Sequence, residues 1–318
     1  MSRDIVFLIN KSEITAGTRG ASLGPGAVMT AARKNNKLFF GDFPVEEVTD
    51  VNHLLDTTTS HKFAKRIDGL VTIYESLNEK IAGILNAGKF PLVLAGDHGS
   101  AGGTIAGIKA TYPSKRLGVV WIDAHADLHT PYTTPSGNIH GMPLATAIND
   151  DNLECKINDV DSSTAELWNK LKTIGNVSPK ISPDDLIFIG VRDTEDQENA
   201  LIDRLKIKNY KVEEVNQKGT QVVVSEIEER LKGCDLIYIS FDVDSMDPAY
   251  TSHGTGTPVD NGLTPKQAED FLTSFAGNTK TVCIEFVEVN PCLDEKINKM
   301  AEVTSELVEV VINTLTKK

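Results

Sequence analysis

Apolar residues in this chain gather in short unbroken runs, and the stretches between them carry helical spacing. The runs are IVFLI (5–9), FPLVLAG (90–96), LGVVWID (117–123), LIFIGVR (186–192), LIYISFD (236–242) and TVCIEFVEV (281–289). They are continuously apolar rather than alternating, which is how strands read when helices cover both faces of a sheet. GPGAVMTAARK (24–34) predicts a helix with proline near its start. Residues 61–88 place Phe63, Ile67, Leu70, Val71, Tyr74, Leu77, Ile81 and Leu85 on one helical face, and Gly88 closes the pattern. A further helix runs from the second run to about residue 111, and the last covers roughly 295–315. Residues 151–185 are polar and read as a surface excursion. The alternation predicts an α/β fold: one doubly wound domain over residues 1–318, a mostly parallel sheet with helices on both faces in three layers, α/β/α.

A length of 318 residues allows one large domain or two smaller ones, and no linker rich in Pro, Gly or Ser divides the chain. Acidic residues outnumber basic ones 45 to 32, a net charge of −13. Such a surface repels nucleic acid and anionic membranes, which argues against both as partners, and attracts a cationic substrate. No apolar stretch approaches the roughly 20 residues of a membrane span. The opening MSRDIVFLINKSE reads as a first strand and not as a signal peptide. Cys155, Cys234, Cys283 and Cys292 form no CxxC pair and read as reduced thiols of a cytoplasmic protein.

Four of the predicted strands end in acids or histidines. They are LVLAGDH (Asp97, His98), VVWIDAHAD (Asp123, His125, Asp127), YISFDVDSMDP (Asp242, Asp244, Asp247) and CIEFVEVNP (Glu285, Glu288). An open parallel sheet binds ligands beyond the carboxyl ends of its strands, so these groups are expected on one rim. Several carboxylates crowded together raise one another's pKa and need a counter-charge. A pair of divalent ions supplies it, and a set of Asp, Glu and His without cysteine suits a borderline-hard ion such as Mn²⁺. Each motif alone is ordinary: DxHxD as a capped strand end, DVD as an acidic turn. Their joint occurrence, in order and each after a strand, carries the inference.

The segments AGDHGS, DAHADLHTP, SGNIHGMP, SFDVDSMDP, GTGTPVDNGLT and EVNP, with RGASLGPGAV near the start, closely resemble the ureohydrolase family, its arginase branch in particular. The resemblance runs from about residue 15 to the final helix. It implies hydrolysis of L-arginine to L-ornithine and urea by a metal-bridging hydroxide that attacks the guanidinium carbon. Two Mn²⁺ ions are implied, with Co²⁺ or Ni²⁺ suited to the same ligands. One ion would be held by His98, Asp123, Asp127 and Asp242, the other by His125, Asp123, Asp242 and Asp244, with Asp123 and Asp242 bridging. Asp127 would orient the hydroxide. His140 would carry protons and protonate the leaving amine, a role that suits a group titrating near 6.5. Glu288 would pair with the guanidinium, Thr257 would line the same end, and Glu285 reads as an ordinary strand-end acid.

At the far end of the substrate, Ser136 and Asn138 match the family's carboxylate readers, and Asp193 also matches. Two positions depart. His129 stands where arginases usually carry asparagine, and Glu195 where they carry aspartate. These positions read the α-carboxylate and α-amino groups, although His129 also fits a partner that orients a ligand. The resemblance further implies a homo-oligomer, trimer or hexamer. The rival readings are an agmatinase or a hydrolase of another guanidino or formimino compound, and a non-catalytic regulatory relative. A metal-dependent phosphatase or deacetylase would want basic or aromatic residues where the loop at 129–142 offers polar neutral ones.

Overall fold

The structure, a computed structural model, describes residues 2–317, so the two ends of the expected 1–318 span lie outside it. The apolar runs become strands of one sheet: β1 (Ile5–Asn10), β2 (Val45–Glu47), β3 (Phe90–Ala95), β4 (Leu117–Ile122), β5 (Leu186–Ile189), β6 (Lys208–Tyr210), β7 (Leu236–Asp242) and β8 (Thr281–Val287). Their spatial order is β2-β1-β3-β8-β7-β4-β5-β6, and every neighbouring pair is parallel. Between them come α1 (Gly24–Lys34), α2 (Ile67–Asn86), α3 (Ala101–Thr111), α4 (Pro143–Ile148), α5 (Ser162–Thr173), α6 (Asp196–Leu205), α7 (Val212–Lys218), α8 (Thr220–Arg230), α9 (Pro265–Gly277) and α10 (Lys299–Thr316).

Two apolar cores flank the sheet. β1 sends Ile5, Phe7 and Ile9 to one, where side chains of α1 and of α7 to α10 meet them. It sends Val6 and Leu8 to the other, with α2 to α6. Both faces of each central strand are therefore dry, and this produces the unbroken apolar runs. The sheet order sets the four motif-bearing strands side by side as β3-β8-β7-β4. Their carboxyl ends form one continuous rim.

Several expectations are corrected. The two edge strands, VEE of β2 and KNY of β6, carry no apolar run because an edge needs little burial. The helix expected from residue 61 starts at Ile67, because Arg66 takes a left-handed backbone with φ 61°. The last helix starts at Lys299, after Asn298 at φ 70°. The segment 151–185 is a surface excursion only in part: residues 153–163 are exposed or half-buried, but α5 packs inward. Asp161 caps α5 by accepting from the Thr164 N–H at 2.9 Å. Trp168 and Leu171 are fully buried, and the Trp168 indole donates to Asp151 at 2.7 Å. Alternating Lys, Asn and Ser conceal this packed face in the sequence.

Candidate active site

Each of the four central strands turns out of the sheet at its carboxyl end and presents a ligand-type side chain. His98 follows β3, Asp123, His125 and Asp127 follow β4, Asp242 and Asp244 close β7, and Glu288 follows β8. His98 Nδ1 faces Asp123 Oδ2 at 3.0 Å, Asp242 Oδ2 at 3.1 Å and Asp127 Oδ2 at 3.3 Å. His125 Nδ1 lies 3.1 Å from Asp244 Oδ2 and 3.5 Å from Asp123 Oδ1. Asp123 thus turns one oxygen to each histidine, as a bridging ligand does. Asp242 aims Oδ2 at His98, while its Oδ1 accepts the Asp244 N–H at 2.8 Å.

His98 Nδ1 and Asp123 Oδ2 are buried and lack hydrogen-bond geometry to any partner, their own 3.0 Å approach included. Unsatisfied buried polar atoms are rare, and a lone pair facing three carboxylate oxygens calls for a cation among them. His98, Asp123 and Asp127 form one group able to hold an ion, and Asp123, His125 and Asp244 form a second. Their nitrogen and oxygen donors suit a borderline-hard divalent ion, so the residues fit a metal pair.

Without a counter-charge the cluster is strained electrostatically. Burial, then the neighbouring charge of Asp123, pushes Asp127 well above the usual carboxylate range. Burial, then Asp244 and Asp123, does the same to Asp242. Burial opposes protonation of His98 and His125, yet the facing carboxylates outweigh it and raise both. Backbone strain adds to the picture: Asp127 and Glu288 hold left-handed conformations at φ 51° and 68°.

The sequence-derived candidates line a single cleft of about 300 Å³, except buried Asp123, Asp97 and Glu285 and, on the loop after β7, Asp247. At its inner end Glu288 Oε1 accepts the His98 N–H at 2.8 Å and stands 3.8 Å from His140 Nδ1. Burial, then repulsion from His125 and His98, lowers His140 to about 4, so its imidazole is neutral at neutral pH. Thr257, expected to line this end, donates to Asp244 Oδ2 at 3.2 Å and so holds a ligand-type carboxylate. Asp193 stands 3.7 Å from His125 Nε2 and is largely exposed.

At the outer end Asn138 takes a hydrogen bond from Lys65 at 3.1 Å. Gly137, at φ 77°, turns the SGN loop where a Cβ would lie 2.2 Å from the Lys62 carbonyl, so only glycine fits. The two departures from the family pattern meet each other: His129 Nε2 and Glu195 Oε2 are 2.9 Å apart. Glu198 Oε2 stands 3.6 Å from the same nitrogen. Burial opposes protonation of His129, but these carboxylates raise its pKa.

The sequence reading missed four residues here. Glu198 is buried and accepts the Leu128 N–H at 3.0 Å, and its signal was the E-x-x-E spacing of a capping box. Arg192 spreads its guanidinium over the carbonyls of Gly190, Asp244, Val259 and Asp260, which pins the loops after β5 and β7 together. Trp121 stacks on His98 at 4.0 Å, and Ser240 meets His98 Nε2 at 2.7 Å. Ser240 was visible as the lone small polar residue in LIYISFD. Glu285 is not an ordinary strand-end acid. It is fully buried and accepts the Tyr238 hydroxyl hydrogen.

Residues 3–313 match the model of the arginase family. An arginase of Brevibacillus brevis is 35% identical over 98% of both chains. The solved arginase of Bacillus caldovelox superposes with a TM-score of 0.81 at 33% identity over 98% of both chains. That of Entamoeba histolytica, solved in complex with L-ornithine, gives 0.81 at 27% identity over 100% of this chain and 99% of its own. With the ligand clusters, the cleft and the sheet order already in place, a match of this length shows that the chain belongs to the arginase family.

Proposed function

We propose that this protein hydrolyses L-arginine to L-ornithine and urea, with His98, Asp123, His125, Asp127, Asp242 and Asp244 holding two Mn²⁺ ions. Co²⁺ and Ni²⁺ suit the same donors. The observation that carries the reading is the shared Asp123, with one oxygen toward each histidine, and His140 and Glu288 3.8 Å apart in the cleft that the other ligand-type residues line. The arginase names of the relatives and the L-ornithine complex of one of them support it.

A bound pair of divalent ions supplies a water that ionises near neutral pH. The protein does the rest. Glu288, held by the His98 N–H, meets the planar donor fork of the guanidinium. Burial, then Asp97, pushes Glu288 up to about 8, so the arriving cation is the counter-charge that this carboxyl lacks. Asp127 accepts a hydrogen bond from the attacking water and turns it toward the carbon. His140 starts neutral, takes up a proton and delivers it to the departing amine. Ser136, Asn138 and the raised-pKa His129 face the α-carboxylate; Glu195 and Asp193 face the α-ammonium. The net charge of −13 draws a cationic substrate inward. The resemblance adds a cytoplasmic homo-oligomer, trimer or hexamer, to the same reading.

An agmatinase would need no carboxylate reader, and Ser136, Gly137 and Asn138 are retained here with their turn intact. Urea release from arginine and from agmatine, measured side by side with added Mn²⁺, tests the assignment. Faster turnover of agmatine, or purified protein that binds no divalent metal, would overturn it.

A further inference from the structure

Lys65 has no part in the reaction above, yet it grips the loop that faces the carboxylate end of the substrate. Just ahead of α2, its N–H donates to the Gly137 carbonyl at 2.8 Å. Its Nζ donates to Asn138 Oδ1 at 3.1 Å, the side-chain partner it has among the described residues. Asn138 lines the cleft and Lys65 does not, so the ammonium reaches the cleft through this amide. The chain carries a net charge of −13, yet among the described residues no carboxylate pairs with Lys65.

The bond settles which way round the amide stands. An ammonium offers hydrogens and no acceptor, so only Oδ1 can face it. Nδ2 then lies on the other side, where a Cβ added to Gly17 would come within 2.8 Å of it. Gly17 lines the same cleft. Nδ2 donates to no group among the described residues, so its hydrogens are left for a ligand. Ser136 Oγ accepts the Asn138 N–H at 3.1 Å, which leaves the Ser136 hydroxyl hydrogen free as well. Turned the other way, the amide would offer the cleft an acceptor, which a carboxylate avoids. Holding the loop does not require the ammonium, because the Lys65 N–H and the close approach of Gly137 to the Lys62 carbonyl already fix the turn.

We propose that Lys65 is a positioning residue that keeps the Asn138 amide hydrogens toward the cleft, and so selects guanidino substrates that carry an α-carboxylate over those that lack one. The proposal rests on the arginine reading and names the residue that orients its carboxylate reader. Its signature is a split between ligands with and without the carboxylate.

The test compares wild type, Lys65→Met, Lys65→Gln and Lys65→Arg, alone and with Asn138→Ala, as Mn²⁺-loaded enzyme. The readouts are kcat and KM for arginine, the inhibition constants of L-ornithine and of agmatine, which lacks the carboxylate, and the melting temperature. Lys65→Met is expected to raise the KM for arginine and the inhibition constant of L-ornithine about tenfold, as for a lost hydrogen bond to a charged group. Its kcat and its inhibition constant for agmatine should stay nearly constant. Lys65→Gln carries an acceptor as well as a donor, so it frees the amide to turn and should follow Lys65→Met; it serves in place of that variant should the methionine not fold. Lys65→Arg, which only donates, should restore wild-type values. With Asn138→Ala in place, Lys65→Met should add nothing further, as for residues acting in series. An unchanged KM for arginine in Lys65→Met would overturn the proposal and leave the arginine reading standing. Equal weakening of L-ornithine and agmatine would also overturn it, as a loss of loop structure. A wild type that releases no urea from arginine would take down both.

Discussion

Asp127 and Glu288 sit in a backbone region that non-glycine residues avoid, at φ 51° and 68°. Strain of this kind persists only where surrounding contacts over-determine it, and it aims both carboxylates into the cleft. Asp127→Asn keeps the shape and loses the charge. We expect urea release at saturating Mn²⁺ to fall by about 10²–10⁴-fold, the usual range for a residue that handles the proton of a nucleophile. His129 faces Glu195 and buried Glu198, whose carboxylates raise its pKa. His129→Ala should raise the KM for arginine by about tenfold, a loss of about 1.4 kcal/mol in substrate binding, while kcat stays nearly constant. Steady-state kinetics across arginine concentrations check this. The residue types at these positions were legible in the chain; that His129 and Glu195 would face each other was not, because 66 residues separate them.

At the scale of elements, the apolar runs revealed the strands that are dry on both faces and hid those that are not. β2 and β6 are three-residue edges with polar sequences, so no pattern marks them. α5 was hidden differently. Its buried face rests on few residues, Trp168 and Leu171 above all, set beside polar positions that include a buried Lys172. Trp168 is fully buried and its indole is bonded to Asp151, which also takes Lys172 at 2.7 Å. Trp168→Ala is therefore expected to destabilise the protein by about 3–5 kcal/mol, read by chemical denaturation, with urea release retained at low temperature. A loss below 1 kcal/mol would return residues 151–185 to the status of a surface excursion.

For the whole molecule, the rim of buried acids makes stability depend on pH and on metal together. Glu288 is pushed up to about 8, Glu198 to about 7 and Asp97 to about 6, burial being the first cause in each. The folded state therefore holds protons that the unfolded chain has released by about pH 4.5. Their stabilisation is complete below that pH and is lost as pH rises through the folded values. His140, lowered to about 4, acts in the opposite sense below about 6.5. We expect the melting temperature of metal-free protein to fall as pH rises from about 5 to 8, and bound Mn²⁺ to suppress that fall. Mn²⁺ at 100 times its Kd should add about 2.7 kcal/mol per independent site, and chelation should remove it together with urea release. Calorimetry at several pH values, with and without chelator, reads both effects. The sequence by itself determined the six apolar strands, the three-layer class and the ligand-bearing strand ends, because burial on both faces and side-chain chemistry are written locally. Only the tertiary structure decided that β3, β8, β7 and β4 stand side by side, that Glu285 takes the Tyr238 phenol hydrogen, and that α5 buries Trp168 and Leu171. Those depend on which distant segments the sheet order brings into contact, and strand order leaves no mark on any single strand.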